Sequence, residues 1–105
     1  MTTFDKREEG FERKFAVDEE LKFKAEARRN RLFGLWVAGK LGLSGDAAVA
    51  YAKEVVAAEL EGPGHVAAKI TADLKAKNLP VDEAELRGKL VELMAEAVAQ
   101  VQAGQ

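Results

Sequence analysis

Cysteine is absent from this chain, and histidine and serine occur once each, as His65 and Ser44. Without cysteine there is no disulfide framework and no thiolate metal site, and a reducing compartment is permitted. A zinc site would want a second imidazole that the chain does not have, so His65 reads as a first-turn helix residue. Ser44 reads as a helix cap before it reads as a nucleophile. The carboxylates are spread along helix surfaces, which leaves an enzyme reading without reacting groups.

Long apolar runs are missing too. None comes near the roughly 18 residues needed to cross a bilayer, and Met1 is followed by Thr2, Thr3, Phe4 and Asp5, not by a basic and then apolar leader. The expectation is a soluble, cytoplasmic protein that does not insert into a membrane. At 105 residues it is one domain, large enough to bury its own core. A net charge of -2 provides no general field for nucleic acid.

What is present is strongly patterned. Residues 1 to 20 carry four cations (Lys6, Arg7, Arg13, Lys14) against seven anions, a net of -3. Residues 21 to 31 reverse this, with Lys22, Lys24, Arg28, Arg29 and Arg31 facing only Glu26. Such blocks can pair with each other or with a partner. The acidic segment next door competes for the cations and no recognised binding motif accompanies them, so the basic run reads as a solvated helix face.

Helical spacing predicts four helices. The first runs from Asp18, a candidate N-cap, to about Leu43, with Leu21, Ala25, Leu32, Leu35, Trp36 and Gly39 as its apolar stripe. Ser44 caps a second helix to about Glu61, with Val49, Ala52, Val55, Val56 and Leu60 as core candidates, and Gly62-Pro63-Gly64 ends it. A third, from about His65 to Lys77, offers Val66, Ile70 and Leu74, closed by Asn78 in the left-handed conformation. Asp82, with Glu85 three residues on, starts a fourth whose stripe of Leu86, Leu90, Leu93, Met94, Ala97, Val98 and Val101 runs to the C-terminus. Short connections and the lack of alternating patterns make this an all-α, antiparallel four-helix bundle. The expected division is a mobile segment at 1-17 and a bundle domain at 18-105.

One string imitates a phosphate-binding loop. Gly34-Leu35-Trp36-Val37-Ala38-Gly39-Lys40-Leu41 fits GxxxxGK, but Leu41 stands where serine or threonine would hold magnesium. The string also lies inside a predicted helix and not between a strand and a helix. Small residues that let another helix approach explain it better. No cofactor is expected, although weak nucleotide contact by another surface stays open.

The N-terminal segment holds three of the five phenylalanines, Phe4, Phe11 and Phe15. On an α-helix they fall within an arc of about 40°, and the continuation of that stripe misses Leu21 by about 100°. The segment therefore has its own apolar face, and a narrow aromatic stripe on a charged, glycine-interrupted segment suits a helix that orders in a partner's groove. The competing reading folds the rings back on the bundle, since burying each phenylalanine returns about 1.5 to 3 kcal/mol.

Residues 11 to 36, FERKFAVDEELKFKAEARRNRLFGLW, and 40 to 60, KLGLSGDAAVAYAKEVVAAEL, resemble the zeta subunit of alphaproteobacterial F-type ATP synthases, the intrinsic inhibitor of their ATPase activity. The likeness rests on Phe11, Glu12, Lys14, Phe15 and Ala16, on Asp18 to Leu21 and Phe23 to Asn30, and on Gly34 to Trp36, Leu41 to Gly45 and Tyr51 to Val56. It implies a non-enzymatic four-helix protein, monomeric when free and peripheral to the inner-membrane ATP synthase. Its N-terminal segment would insert between alpha and beta subunits and block rotation of the gamma shaft in the hydrolysis direction. By this analogy Phe4, Phe11 and Phe15 anchor the segment, while Lys6, Arg7, Glu12, Arg13 and Lys14 set its orientation. Two departures stand out: Val17 occupies a position where histidine is common in the family, which removes any pH switch there, and the connection EGPGHV at 61 to 66 is shorter and less acidic than usual. The alternative is a general helical adaptor that uses the same aromatic stripe on another partner.

Overall fold

A computed structural model describes the backbone over residues 2-62 and 64-104, and side chains over 19-62 and 64-104. Four helices follow one another: α1 (Thr2–Lys40), α2 (Gly45–Glu61), α3 (His65–Ala76) and α4 (Glu83–Gln102). The chain is all-α, with no strand among the described residues. α1 packs against both α2 and α4, and α2 against α3, so α1 is the spine of the bundle.

Three of the predicted boundaries hold for local reasons. α1 ends where Gly42 takes φ +81, letting the Leu43 amide donate to the Ala38 carbonyl at 2.8 Å and the Gly42 amide to the Gly39 carbonyl at 3.2 Å. That double closure satisfies carbonyls a helix end otherwise leaves open. Asn78, at φ 57, does the same for α3, with Leu79 donating to Leu74 at 2.9 Å and Asn78 to Lys75 at 3.0 Å. Asp82 caps α4, its Oδ1 accepting from the Glu85 amide at 3.1 Å. Ser44 occupies the N-cap of α2 in extended conformation, but its side chain makes no capping bond.

The predicted start of the first helix is corrected. α1 begins at Thr2, so Asp18 lies within it and is not its N-cap. Good capping chemistry at Asp18 does not by itself stop a helix, because nothing before it forces a break: no proline occurs there, and a single glycine costs only about 1 kcal/mol. The side chains of residues 2-18, which include nearly all of the segment 1-17 expected to be mobile, lie outside the described residues.

The stripe of α1 is also shifted from the expected one. Ala25, Asn30, Phe33, Gly34, Val37 and Ala38 are buried, whereas Leu21, Leu32, Leu35 and Trp36 are half-buried and Gly39 is exposed. Phe33 and Val37 join Tyr51 and Val55 of α2, Ile70 and Leu74 of α3 and Leu93 of α4 in the core. On α2 the inward residues are Tyr51, Ala52, Val55 and Ala58, while Leu60, expected inside, is 78% exposed.

Candidate functional site

All eight residues expected to contact a partner, Phe4, Lys6, Arg7, Phe11, Glu12, Arg13, Lys14 and Phe15, belong to α1. Their side chains lie outside the described residues, so the site can be built only from its base, the described part of α1 and the helices that hold it.

That base is rigidly braced. The Phe33 and Trp36 rings stack at 5.8 Å between centroids with 26° between planes. Lys40 of α1 and Lys89 of α4 lie over the Trp36 ring at 4.7 and 5.6 Å, and Lys40 also pairs with Glu85 of α4. A half-buried indole bracketed by two cations joins the C-terminal half of α1 to α4.

A second brace joins α2 to α3. The Tyr51 hydroxyl donates to Asp73 Oδ2 at 2.8 Å, and Lys69 Nζ reaches Asp73 Oδ2 at 3.1 Å and Glu54 Oε2 at 3.3 Å while lying 4.9 Å from the Tyr51 ring centroid. Burial, followed by the hydrogen bond to Asp73, pushes the Tyr51 phenol well above its usual range. Burial pulls the Lys69 ammonium down, but its bonds to Asp73 and Glu54 outweigh this and hold it above its ordinary value. Both groups are therefore protonated more tightly in the fold than in the open chain. Their contribution to stability is full below pH about 10 and is lost as pH rises through the folded values. Tyr51→Phe should lower stability at neutral pH by about 1 to 2 kcal/mol. Melting curves from pH 8 to 11 should also show a shallower alkaline fall for the variant than for the parent.

Apart from the Tyr51 hydroxyl, the buried polar side chain among the described residues is Asn30, which is 1% exposed. Its Oδ1 accepts from Arg29 Nε at 3.3 Å and Nη2 at 3.2 Å, while Nδ2 has no partner. Asn30 borders a cavity of about 360 Å³ with Phe33, Ile70 and Leu86 among its apolar lining and Arg29, Glu59, Glu83 and Arg87 among its charged lining. Helical spacing places Asn30 three residues before Phe33, yet an asparagine inside a charged run gives no sign of burial. His65 stands at the first position of α3, exposed, with Nδ1 3.3 Å from Glu61 Oε2. Among the described residues no group of histidines and carboxylates could hold a metal ion, and no helix is long and apolar enough to cross a membrane.

The GxxxxGK string lies within α1, as its residues suggested. A methyl group at Gly34 would stand 2.7 Å from the Ala52 Cα, so this glycine is where α1 and α2 touch backbone to backbone. A methyl group at Gly39 would meet nothing within 4 Å, so that glycine plays no part in the crossing.

Residues 1–100 match the family model for the ATPase inhibitor subunit zeta. A solved structure, described as the solution NMR structure of a protein, is 53% identical to the chain, with a TM-score of 0.69, over 81% of this chain and 99% of that one. No curated protein matches the sequence. The family match takes in both the N-terminal segment and all but the last residues of α4: the chain belongs to the ATPase inhibitor subunit zeta family, and is an inhibitor subunit, not a catalyst, that associates with F-type ATP synthase.

Proposed function

We propose that the chain inhibits ATP hydrolysis by inserting residues 1-17 at a catalytic interface between alpha and beta subunits, close to the gamma shaft, and blocking rotation in the hydrolysis direction. The observation that carries this reading is the family match from residue 1, because it makes the aromatic stripe part of the family's inhibitor and not an accessory to it. Phe4, Phe11 and Phe15 are the anchors. Lys6, Arg7, Glu12, Arg13 and Lys14 fix register against the walls of the groove. The bundle, 18-105, is the bulky stop that stays outside, and its braces at Trp36 and Tyr51 keep it from yielding when the shaft pushes. The same match favours this reading over a general adaptor.

The test joins activity with position. Pure protein should lower ATP hydrolysis by the isolated catalytic sector, and a photo-crosslinker at Phe11 should label alpha and beta subunits. Inhibition with labelling confined to the outer surface of the enzyme would remove the insertion mechanism while leaving the inhibitor role in place.

A further inference from the structure

We infer that a basic groove on the bundle is a second contact surface, which takes an acidic segment of the ATP synthase's catalytic sector. The groove, of about 740 Å³, runs between α1 and α2 and is closed at one end by the last turn of α4. Its cations are Lys24, Arg28 and Arg31 of α1 and Lys53 of α2, and among the described residues no carboxylate side chain lines it. Its floor is apolar, with Val49 39% exposed and Phe23 69% exposed at the rim.

The charges are left over by the fold's own pairing. Lys22 pairs with Glu26 at 3.9 Å and Lys24 with Glu20 at 3.2 Å, each one helical turn away. Arg28, Arg31 and Lys53 have no acidic residue three or four positions away on either side, the distances at which helix neighbours pair. Among the described residues none of the three joins an ion pair. Three cations that join no ion pair among the described residues, set around exposed Phe23 and Val49, form a surface complementary to carboxylates set about an apolar side chain. Phe23 and Val49 are both exposed within the one groove, so the cations surround apolar surface and not only solvent.

Placement points to the enzyme as the source of that segment. Phe23 follows Phe15 by eight residues on α1, about 12 Å along the axis at the α-helical rise. With the preceding segment held in the enzyme, the groove comes to the mouth of that site. The inference rests on the proposed function for its partner, but it needs only that the bundle touch the enzyme, not that residues 1-17 insert between alpha and beta.

The test uses the full chain with the catalytic sector. Arg28→Glu, Arg31→Glu and Lys53→Glu combined should raise the half-inhibitory concentration by about tenfold or more at low salt and flatten its dependence on ionic strength. The glutamine triple should fall between this variant and the parent. Arg31 and Lys53 are exposed and Arg28 is half-buried, and circular dichroism and melting temperature matching the parent separate loss of contact from loss of fold. A p-benzoylphenylalanine at Phe23 should label a carboxylate-rich stretch of an alpha, beta or gamma subunit. Unchanged inhibition and salt slope in the charge-reversed protein would overturn the inference, as would labelling only of a second inhibitor copy or of the chain's own residues 2-18. Retention of the parent on duplex DNA at physiological salt, abolished in the triple variant, would assign the groove to nucleic acid instead. If the Phe11 probe misses the alpha/beta interface while the Phe23 probe still finds the enzyme, the insertion mechanism falls and this surface stands.

Discussion

Deleting residues 2-17 abolishes inhibition and leaves the bundle folded: this is the expected result of separating the aromatic stripe from its stop. Every buried hydrophobic residue among those described lies between Ala25 and Ala97, so the deletion removes none of them. Replacing Phe11 and Phe15 by alanine acts in the same direction with the chain length unchanged. Each anchor, fully desolvated in a partner, contributes about 2 kcal/mol or more, and the pair together raises the inhibitor concentration needed on the order of a few hundredfold. Titration of ATP hydrolysis against inhibitor reads the shift, and a thermal melt of the same preparation reports whether the bundle is intact. Full inhibition by the shortened chain would mean that the phenylalanine stripe is not the inhibitory element.

The charge-reversed groove should behave differently from the deletion. An exposed charged rim contributes mainly to association rate and salt sensitivity, while desolvated aromatic anchors set the residence time. Slow dissociation in the groove variant and fast dissociation in the Phe11 and Phe15 variant is therefore the expected kinetic pattern.

The parts of this fold that were legible in the sequence are those decided within a few residues. Asp82 with Glu85 and Asn78 before Leu79 place helix ends where the backbone has them, because a cap or a left-handed residue acts on its nearest neighbours, and Ser44 marks the start of α2 without a capping bond. The faces of the helices were less legible. α4 carries enough leucine, methionine and valine to define its stripe, with Leu93 and Ala97 at its buried centre. In α1 size does not track burial: Phe33 is inside, but Trp36, Leu32 and Leu35 lie half-buried while Ala25, Gly34 and Ala38 are inside. A pattern weighted by hydrophobic size misses a face built for close approach. Asn30 could not be read at all, because its burial follows from the shape of the neighbouring helices.

The start of α1 shows the opposite failure. Asp18, Glu19 and Glu20 make a good first turn, and the same residues are tolerated inside a helix that already runs through them. Cap preference says where a helix can begin, not that it must. For residues 1-17 the legible part is the composition, aromatic rings among charges, and the family match covers these residues from the first.

Gly34 carries the largest stability prediction. Its missing side chain admits Ala52: a Cβ there would lie 2.7 Å from the Ala52 Cα and 3.2 Å from both the Ala52 Cβ and the Val55 Cβ. The first of these is a backbone atom and cannot swing aside, so α1 and α2 must move apart along the seam that holds Val37, Tyr51 and Val55 in one core. Gly34→Ala gains up to about 1 kcal/mol of helix propensity, against roughly 1 to 3 kcal/mol for overpacking, and should be mildly destabilising. Gly34→Val adds two methyl groups at the same point and gives up part of the propensity gain. It should lose about 2 to 4 kcal/mol, a fall of roughly 10 to 20 °C in melting temperature for a domain of this size. Ala52→Gly should not rescue either variant, because removing that methyl leaves the α2 backbone still in the way. Gly39→Ala and Gly88→Ala supply the contrast: both sit in helices with open space around the added methyl, and each should raise stability by about 0.5 to 1 kcal/mol. A Gly34→Val protein that melts with the parent would mean that the two helices do not cross at this glycine.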